Sequence, residues 1–390
     1  MDGEKPGNIL MVHQGGVGDF ILCLPAFGAI RQYYRGARIE LLGYPRILQL
    51  VQGRYYADQG KSIDGVALGF LYLKDGNLDG PAFRYFADFD LAFLFAQHGE
   101  GIFSANVRKA GVKKVLSIPP FPEKGDRVHA IDHMLSCLSS MGVPQGMRIP
   151  RIFLSEEDRQ FAEAWLAQKG ALERVEKGLI ALHPGSGSRK KLWPIGKFLD
   201  LAGSITAELG LSTILFIGPA EREYLGSGLE RMRARCPISA DHLPLIQVAS
   251  LLERCRCYIG NDSGMTHLAA AVGVPTVALF GPTDPEIWGP RGERVAILRK
   301  ALECSPCRRE ELERCEHRRC LELIEVEEVI ERAMSLMTQG ALPSGGSNVP
   351  QGGGIEGNSA NDALKVDQRG GERFSLLVMC DIVAGDQIKS

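Results

Sequence analysis

Four short stretches carry residue types that could do chemistry. The first, "QGGVGDF" (14–20), places three glycines, Gly15, Gly16 and Gly18, before a single carboxylate, Asp19. So bare a turn leaves space for a ligand, and a carboxylate held beside a hydroxyl can take its proton. Asp19 can equally cap the helix that follows. Gly16-x-Gly18 also begins a dinucleotide fingerprint, with Glu40 near the position of a ribose-binding acid. Its third glycine position is Ile21, so the fingerprint is incomplete. The second stretch, "HPGSGSRKKLWP" (183–194), combines small residues with Arg189, Lys190 and Lys191. Exposed backbone N–H groups beside cations can bind an anion without a metal; the other reading is a solvated basic loop. The third, "GNDSGMTHLAAA" (260–271), sets Asp262, Ser263 and Gly264 at a helix start, with His267 one turn inside. Asp262 can cap that helix, while Ser263 and the free N–H groups can meet a phosphate, and the two roles are compatible.

The fourth stretch is "CSPCRREELERCEHRRC" (304–320), with Cys304, Cys307, Cys315 and Cys320 spaced C-x2-C-x7-C-x4-C. This spacing suits a structural zinc ion or an iron–sulfur cluster, with His317 able to replace one ligand. Reduced thiols or disulfides are the alternatives. Cys255 and Cys257 fall on an expected strand and read as core.

These stretches need elements to hold them. Residues 8–13 read as a strand, "FILCLPAFGAIRQYYRG" (20–36) as a helix and "ARIELLG" (37–43) as a second strand, which is the spacing of a βαβ unit in a parallel sheet. Strands are also expected at 89–95 and 113–118, and helices at 132–143 and 155–170, the latter with Ser155 as N-cap of a capping box. The pattern then restarts. The strands at 178–183, 212–217, 255–261 and 275–280 each run toward a turn, with helices at 194–210 and 265–273 between them. Two α/β halves, 1–170 and 171–337, are expected to face each other, with ligands beyond the carboxyl ends of the strands. A helix at 326–337 closes the second half. Residues 338–390 are rich in Gly, Ser, Pro and Asn and read as a disordered tail; within it "FSLLVMCDIV" (374–383) could dock as a strand.

The whole chain sets outer bounds. Its 390 residues suffice for two domains. A net charge of −2 argues against a bulk nucleic-acid binder. The polar N-terminus is unlike a signal peptide, and no apolar run reaches the roughly 18–20 residues of a membrane span. A cytoplasmic protein with reduced or metal-bound cysteines is the simplest reading.

Three pieces together, "GGVGDFILCLPAFGAIRQYYRGARIELL", "IALHPGSGSRKKLWPIGKFLDLA" and "YIGNDSGMTHLAAAVGVPTVALFGPTDPEIWGP", resemble glycosyltransferase family 9, the heptosyltransferases of lipopolysaccharide core assembly. They are spread over roughly residues 8–330. The resemblance implies a GT-B fold, two Rossmann-like domains around a cleft. It implies inverting transfer from a nucleotide sugar, usually ADP-heptose, to a lipid-linked glycan at the inner membrane face, with no essential metal or other cofactor. The family's base falls on Asp19 and its diphosphate-binding lysine on Lys191. Its donor turn falls on Asp262, Ser263, Gly264 and His267, and the "GSGS" turn contributes Ser186 and Gly187. A nucleoside-recognising glutamate falls on Glu221 or Glu223. Gly15, Gly16 and Gly18 fall on the acceptor side, where "QGGVGD" departs from the family's commoner serine-containing turns. "RQYYRGAR" (31–38) could touch anionic headgroups or acceptor phosphates, or simply be a solvated helix face. Two other readings stand beside this one: a GT-B transferase using another nucleotide sugar, and a nucleotide-sugar-binding protein without turnover.

Overall fold

A computed structural model describes residues 6–64, 71–74, 81–96, 101–123 and 125–338. The tail expected beyond residue 338, with its apolar piece at 374–383, lies outside them.

Among the described residues, the first half is built on five parallel strands: β1 (Asn8–His13), β2 (Arg38–Gly43), β3 (Gln59–Ser62), β4 (Leu91–Phe95) and β5 (Lys114–Ile118), in the order β3-β2-β1-β4-β5. The second has six: β6 (Leu179–His183), β7 (Ser212–Ile217), β8 (Ile238–Asp241), β9 (Cys257–Asn261), β10 (Thr276–Leu279) and β11 (Val295–Leu298), ordered β11-β10-β9-β6-β7-β8. All pairings are parallel; Met11, for example, lies beside Leu41 on one side and Phe93 on the other. The central strands are near-continuous apolar runs because helices cover both faces of such sheets. β4, β6 and β9 are buried along their whole length. In each sheet the strand order reverses beside the first strand, between β1 and β4 and between β6 and β9. These reversals open crevices at the carboxyl ends of the strands.

Helix α1 (Val17–Tyr33) follows β1. It starts three residues earlier than its sequence suggests, so Asp19 sits inside the first turn and not ahead of it. Phe20 to Ile30 are all buried, on every side of the helix. A helix that is apolar all round must be covered all round. α1 packs on the first sheet, on α2 (Ala130–Ser140) and on a helix of the second half, α5 (Gly264–Val272). Helix α3 (Glu156–Gln168) starts with the expected capping box. The Ser155 N–H donates to Asp158 Oδ2 at 2.7 Å, and Ser155 Oγ accepts from the Asp158 N–H. It lies against α4 (Leu245–Glu253), where Arg159 donates twice to Glu253 at 2.9 and 3.1 Å. The closing helix α6 spans Val326–Thr338.

Apolar side chains of both sheets share one continuous core, from Ile9 and Phe27 through Leu268 to Ala181 and Phe216. The two halves are thus packed together along α1 and α5. Burial at about 25 cal/mol per Å² makes such a shared core a large contribution to holding their relative placement.

Candidate active site

The crevices of the two sheets open onto one cleft of about 790 Å³. The first half contributes Gly16, Gly18, Asp19, Arg46 and Phe121 to its walls. Ser186, Gly187, Lys191, Glu221, Asp262, Ser263, Gly264 and His267 line it from the second half. The first turns of α1 and α5 touch there. A Cβ on Gly264 would lie 2.8 Å from Val17 Cβ and 2.9 Å from the Gly18 nitrogen, and one on Gly18 would lie 3.4 Å from His267. Glycine at 264 lets two helix N-termini approach this closely. Their unpaired N–H groups and dipole ends favour negative charge in the cleft.

Asp19 is the third residue of α1, and its Oδ2 accepts the Gly16 N–H at 3.1 Å. Burial raises its pKa above the ordinary carboxylate value. The Gly16 bond and Lys191 pull it down, and Asp262 adds to the rise. A carboxylate desolvated in this way is a stronger proton acceptor than one in water. Beneath the turn lies His13, the last residue of β1, whose Nδ1 accepts the Gly15 N–H at 3.3 Å. Burial holds the ring neutral, with its pKa driven down to about 3. A Cβ on Gly15 would lie 2.9 Å from this ring and 3.0 Å from Asp19 Cβ, so the bare turn is required by close packing.

On the other side, Lys191 Nζ pairs with Asp262 Oδ2 at 2.8 Å. The α5 N-cap is Ser263, which makes no side-chain capping bond. Capping by Asp262, expected from its position, is therefore not what its side chain does: it faces the lysine. Ser186 Oγ donates to the Asp262 carbonyl at 2.7 Å, so that hydroxyl is used within the protein. Asn261, fully buried, joins the second and third stretches: Nδ2 donates to the Pro184 carbonyl at 2.7 Å and Oδ1 accepts the Trp193 N–H at 3.0 Å. His267 is buried and kept neutral, its pKa lowered to about 4 by desolvation.

Of the two candidate glutamates, Glu221 faces the cleft and Glu223 is exposed outside it. Glu221 Oε1 lies 2.5 Å from His183 Nε2, and Oε2 accepts the Gly218 N–H at 2.7 Å. Burial pushes its carboxyl up, but its contact with the His183 ring and these hydrogen bonds outweigh it and hold it at about 2. The carboxylate lies over Gly185, where a Cβ would come within 1.6 Å of Oε1. Beyond it an apolar wall of Phe216, Ile217, Ala240, Leu243, Leu245 and Val248 follows β7 and β8. At the mouth, Phe121 and Trp288 meet edge to face from the two halves, 4.9 Å between centroids. Sequence reading missed this wall, Arg46, the aromatic pair and the part played by His183. Only His183, heading the second stretch, had a signal that could have drawn attention to it.

The four cysteines lie apart from this chemistry. Cys304 is exposed, Cys307 and Cys315 are half-buried and Cys320 is buried. Cys307 is pushed up to about 11 by burial and by the neighbouring thiols of Cys304, Cys320 and Cys315. The described cysteines form no disulfide. Among the described residues, no three His, Cys, Asp or Glu side chains are gathered as a metal ion would hold them. Nor, among these residues, is any helix long and apolar enough to cross a membrane.

Comparison with known proteins places this chain in a family. Residues 121–316 match the model of glycosyltransferase family 9 (heptosyltransferase). Lipooligosaccharide heptosyltransferase 2 of Haemophilus influenzae is 31% identical over 167 residues, 40% of this chain and 47% of that protein. The chain thus spans about half the length of the curated relatives it matches. Over the fold the likeness is wider. A family 9 glycosyltransferase structure from Veillonella parvula aligns with a TM-score of 0.71 at 24% identity, covering 87% of this chain and 99% of that one. The E. coli ADP-heptose lps heptosyltransferase II structure aligns at 0.67 and 18% identity, covering 85% and 99%. The two facing parallel sheets are a GT-B fold, and the chain belongs to glycosyltransferase family 9 (heptosyltransferase).

Proposed function

We propose that the protein is an inverting glycosyltransferase that moves a sugar, heptose from ADP-heptose, onto a lipopolysaccharide-core-type acceptor. The observation that carries this reading is the meeting of Asp19, Lys191 and two helix N-termini in one cleft between the halves. Family membership and the names of the relatives, one of them an ADP-heptose transferase, support the donor and acceptor class.

In this reading the nucleoside lies against the wall after β7 and β8, beside Glu221. Its diphosphate lies at Gly187, Lys191 and the N-terminus of α5, with Ser263, Gly264 and His267 at its side. The acceptor enters over Gly15, Gly16 and Gly18. The acceptor hydroxyl oxygen attacks the anomeric carbon as the carbon–oxygen bond to the diphosphate breaks. Asp19 takes the hydroxyl proton. The leaving diphosphate gains negative charge, which Lys191 and the N–H groups of α5 stabilise. The chain's own cations serve the leaving group, so the chemistry is assigned to no metal or other cofactor. Lys191 must turn partly from Asp262 to meet the diphosphate, which makes this ion pair a resting position for the lysine.

The finer parts of the reading are three. The spacing of Cys304, Cys307, Cys315 and Cys320 suits a structural zinc ion or iron–sulfur cluster, and their side chains would have to converge from their places in this structure to hold it. Catalysis occurs at the cytoplasmic face of the membrane that carries the acceptor. A peripheral contact there through 31–38 would rest on Tyr33, which is 45% exposed, and Arg35. Arg31 is held by Asp58, and Arg38 by Glu40 and Gln59. The test of the donor assignment is calorimetric titration with ADP, GDP, UDP and dTDP. ADP is expected to bind tightest, and tighter binding of UDP would overturn the adenine assignment.

A further inference from the structure

The cysteine segment lies outside the cleft, yet it is bonded to the loop that carries Lys191. Arg189–Lys191 form a single 3-10 turn. Neighbours in such a turn point about 120° apart, so Lys191 can face Asp262 while Lys190 faces away. Lys190 Nζ donates to the carbonyls of Glu313 at 2.8 Å, Cys315 at 3.2 Å and Leu312. An ammonium has three donors, and all three are used. The accepting carbonyls end the helix Arg309–Arg314, whose C-cap is Cys315. They carry the negative end of its dipole, where a cation is favoured. The link also runs the other way: Arg318 Nη1 donates to the Leu192 carbonyl at 3.3 Å and the Arg189 carbonyl at 3.5 Å. Lys191 is therefore bracketed by bonds to one segment. Cys307 and Cys315 flank that segment's helix, and the Cys307 N–H is itself tied to the Pro282 carbonyl at 2.8 Å.

We propose that Lys190 is a positioning residue that couples the cysteine segment to the diphosphate loop, so that the segment's conformation sets the affinity for the nucleoside diphosphate. The proposal rests on the functional reading above, which assigns the diphosphate to this loop. Coupling between sites is reciprocal. If the segment's conformation sets diphosphate affinity, a bound diphosphate must in turn restrain the segment.

The test uses the full chain, reduced beforehand and exchanged anaerobically into reductant-free buffer, with whichever nucleoside diphosphate the calorimetric titration shows to bind. Mass spectrometry follows the rate at which a maleimide modifies Cys304 and Cys315, with and without saturating diphosphate. In the unaltered protein the diphosphate should slow modification about 5-fold or more, the lower end of ordinary coupling. Lys190→Ala should bind diphosphate roughly 5- to 50-fold more weakly, raise the donor KM more than it lowers kcat, and lose the slowing even when saturated. Lys190→Arg, which keeps charge and donors, should restore part of both effects. Slowing that persists in saturated Lys190→Ala would mean that the ligand covers the thiols directly, and would overturn the proposal. So would unchanged thiol reactivity in unaltered protein that calorimetry shows to be saturated. If none of the four diphosphates binds, the functional reading fails first, and Lys190 is left as a helix cap alone. Should Lys190→Ala fail to fold, Arg318→Gln breaks the same bracket from its other side, with the same expected loss.

Discussion

Replacing Lys191 by alanine tests the proposed donor site through a pair whose geometry is known. Lys191 Nζ lies 2.8 Å from Asp262 Oδ2, with the lysine side chain 29% exposed and the aspartate 8%. A hydrogen bond to a charged group is worth about 1.5–3 kcal/mol. At about 1.4 kcal/mol per factor of ten, Lys191→Ala should weaken ADP binding roughly 10- to 150-fold. The upper part of that range is expected, because the variant also leaves the buried Asp262 carboxylate without its cation, facing the incoming diphosphate. Adding Asp262→Asn to the same chain removes that orphaned charge. The double variant should recover on the order of 1 kcal/mol of ADP affinity, since residues in contact are not additive. Its melting temperature should lie above that of Lys191→Ala alone. The assay is calorimetric titration at fixed ionic strength, because exposed charges are screened by salt. Unchanged ADP affinity in Lys191→Ala would refute the placement of the diphosphate. An additive loss in the double variant would refute the coupling to Asp262.

Three further outcomes are expected. Gly185→Ala must drive Glu221 from its contact with His183, since the new Cβ would stand 1.6 Å from Oε1; a buried polar group left without its partner costs about 1–3 kcal/mol, and an unchanged melting temperature would show that Glu221 is not held there. Stability should fall as the solution is acidified. His13 and His267 are lowered from 6.5 to about 3 and about 4, so the unfolded chain binds protons that the folded chain refuses. Their contribution is intact above about pH 6.5 and declines below it. Glu221, held at about 2 against an ordinary 4.5, adds a loss in the same direction from about pH 4.5 downward. Melting temperatures that stay level from pH 7 to 4 would contradict this. Metal analysis of anaerobically purified protein should find near one zinc, or iron with sulfide, per chain. Metal-free protein with all four thiols freely alkylated would count against the structural site. If metal is bound, Cys304→Ser should lower stability more than turnover per folded molecule.

Much of this molecule was legible in its sequence where periodicity was strong. β1, α1, β6 and β9 are long apolar runs with glycine-rich ends, and the capping box of α3 is spelled by Ser155 and Asp158. The outer strands β3, β8 and β11 were not legible: each has only four residues, and β3 reads "QGKS", polar throughout. Edge strands need no apolar pattern on two faces, so the sequence carries little signal for them. The turns that bear Asp19, Lys191 and Asp262 were visible because small residues and charges coincide there. What Asp262 does was not, because a helix-start aspartate looks the same whether it caps the helix or pairs with a lysine 71 positions away. The apolar wall was invisible for a related reason. Phe216, Leu243 and Val248 look like any core residues until β7 and β8 are laid side by side.

The central claim is that Asp19 takes the acceptor proton, and Asp19→Asn measures it most directly. Asparagine keeps the shape, can still accept the Gly16 N–H and caps a helix about as well, but it cannot serve as the base. Burial raises the Asp19 pKa, so the fold disfavours its charged form; the variant should melt at the same temperature or slightly higher near neutral pH. Sugar transfer should be followed in a single turnover, with saturating nucleotide sugar and a lipid-core acceptor fragment. A general base contributes roughly 10²–10⁴ in rate, so transfer should slow by about that factor while ADP affinity stays within error. Near-normal transfer by Asp19→Asn would contradict the assignment of the base. A lowered melting temperature with a proportionate loss of activity would return Asp19 to a purely structural role.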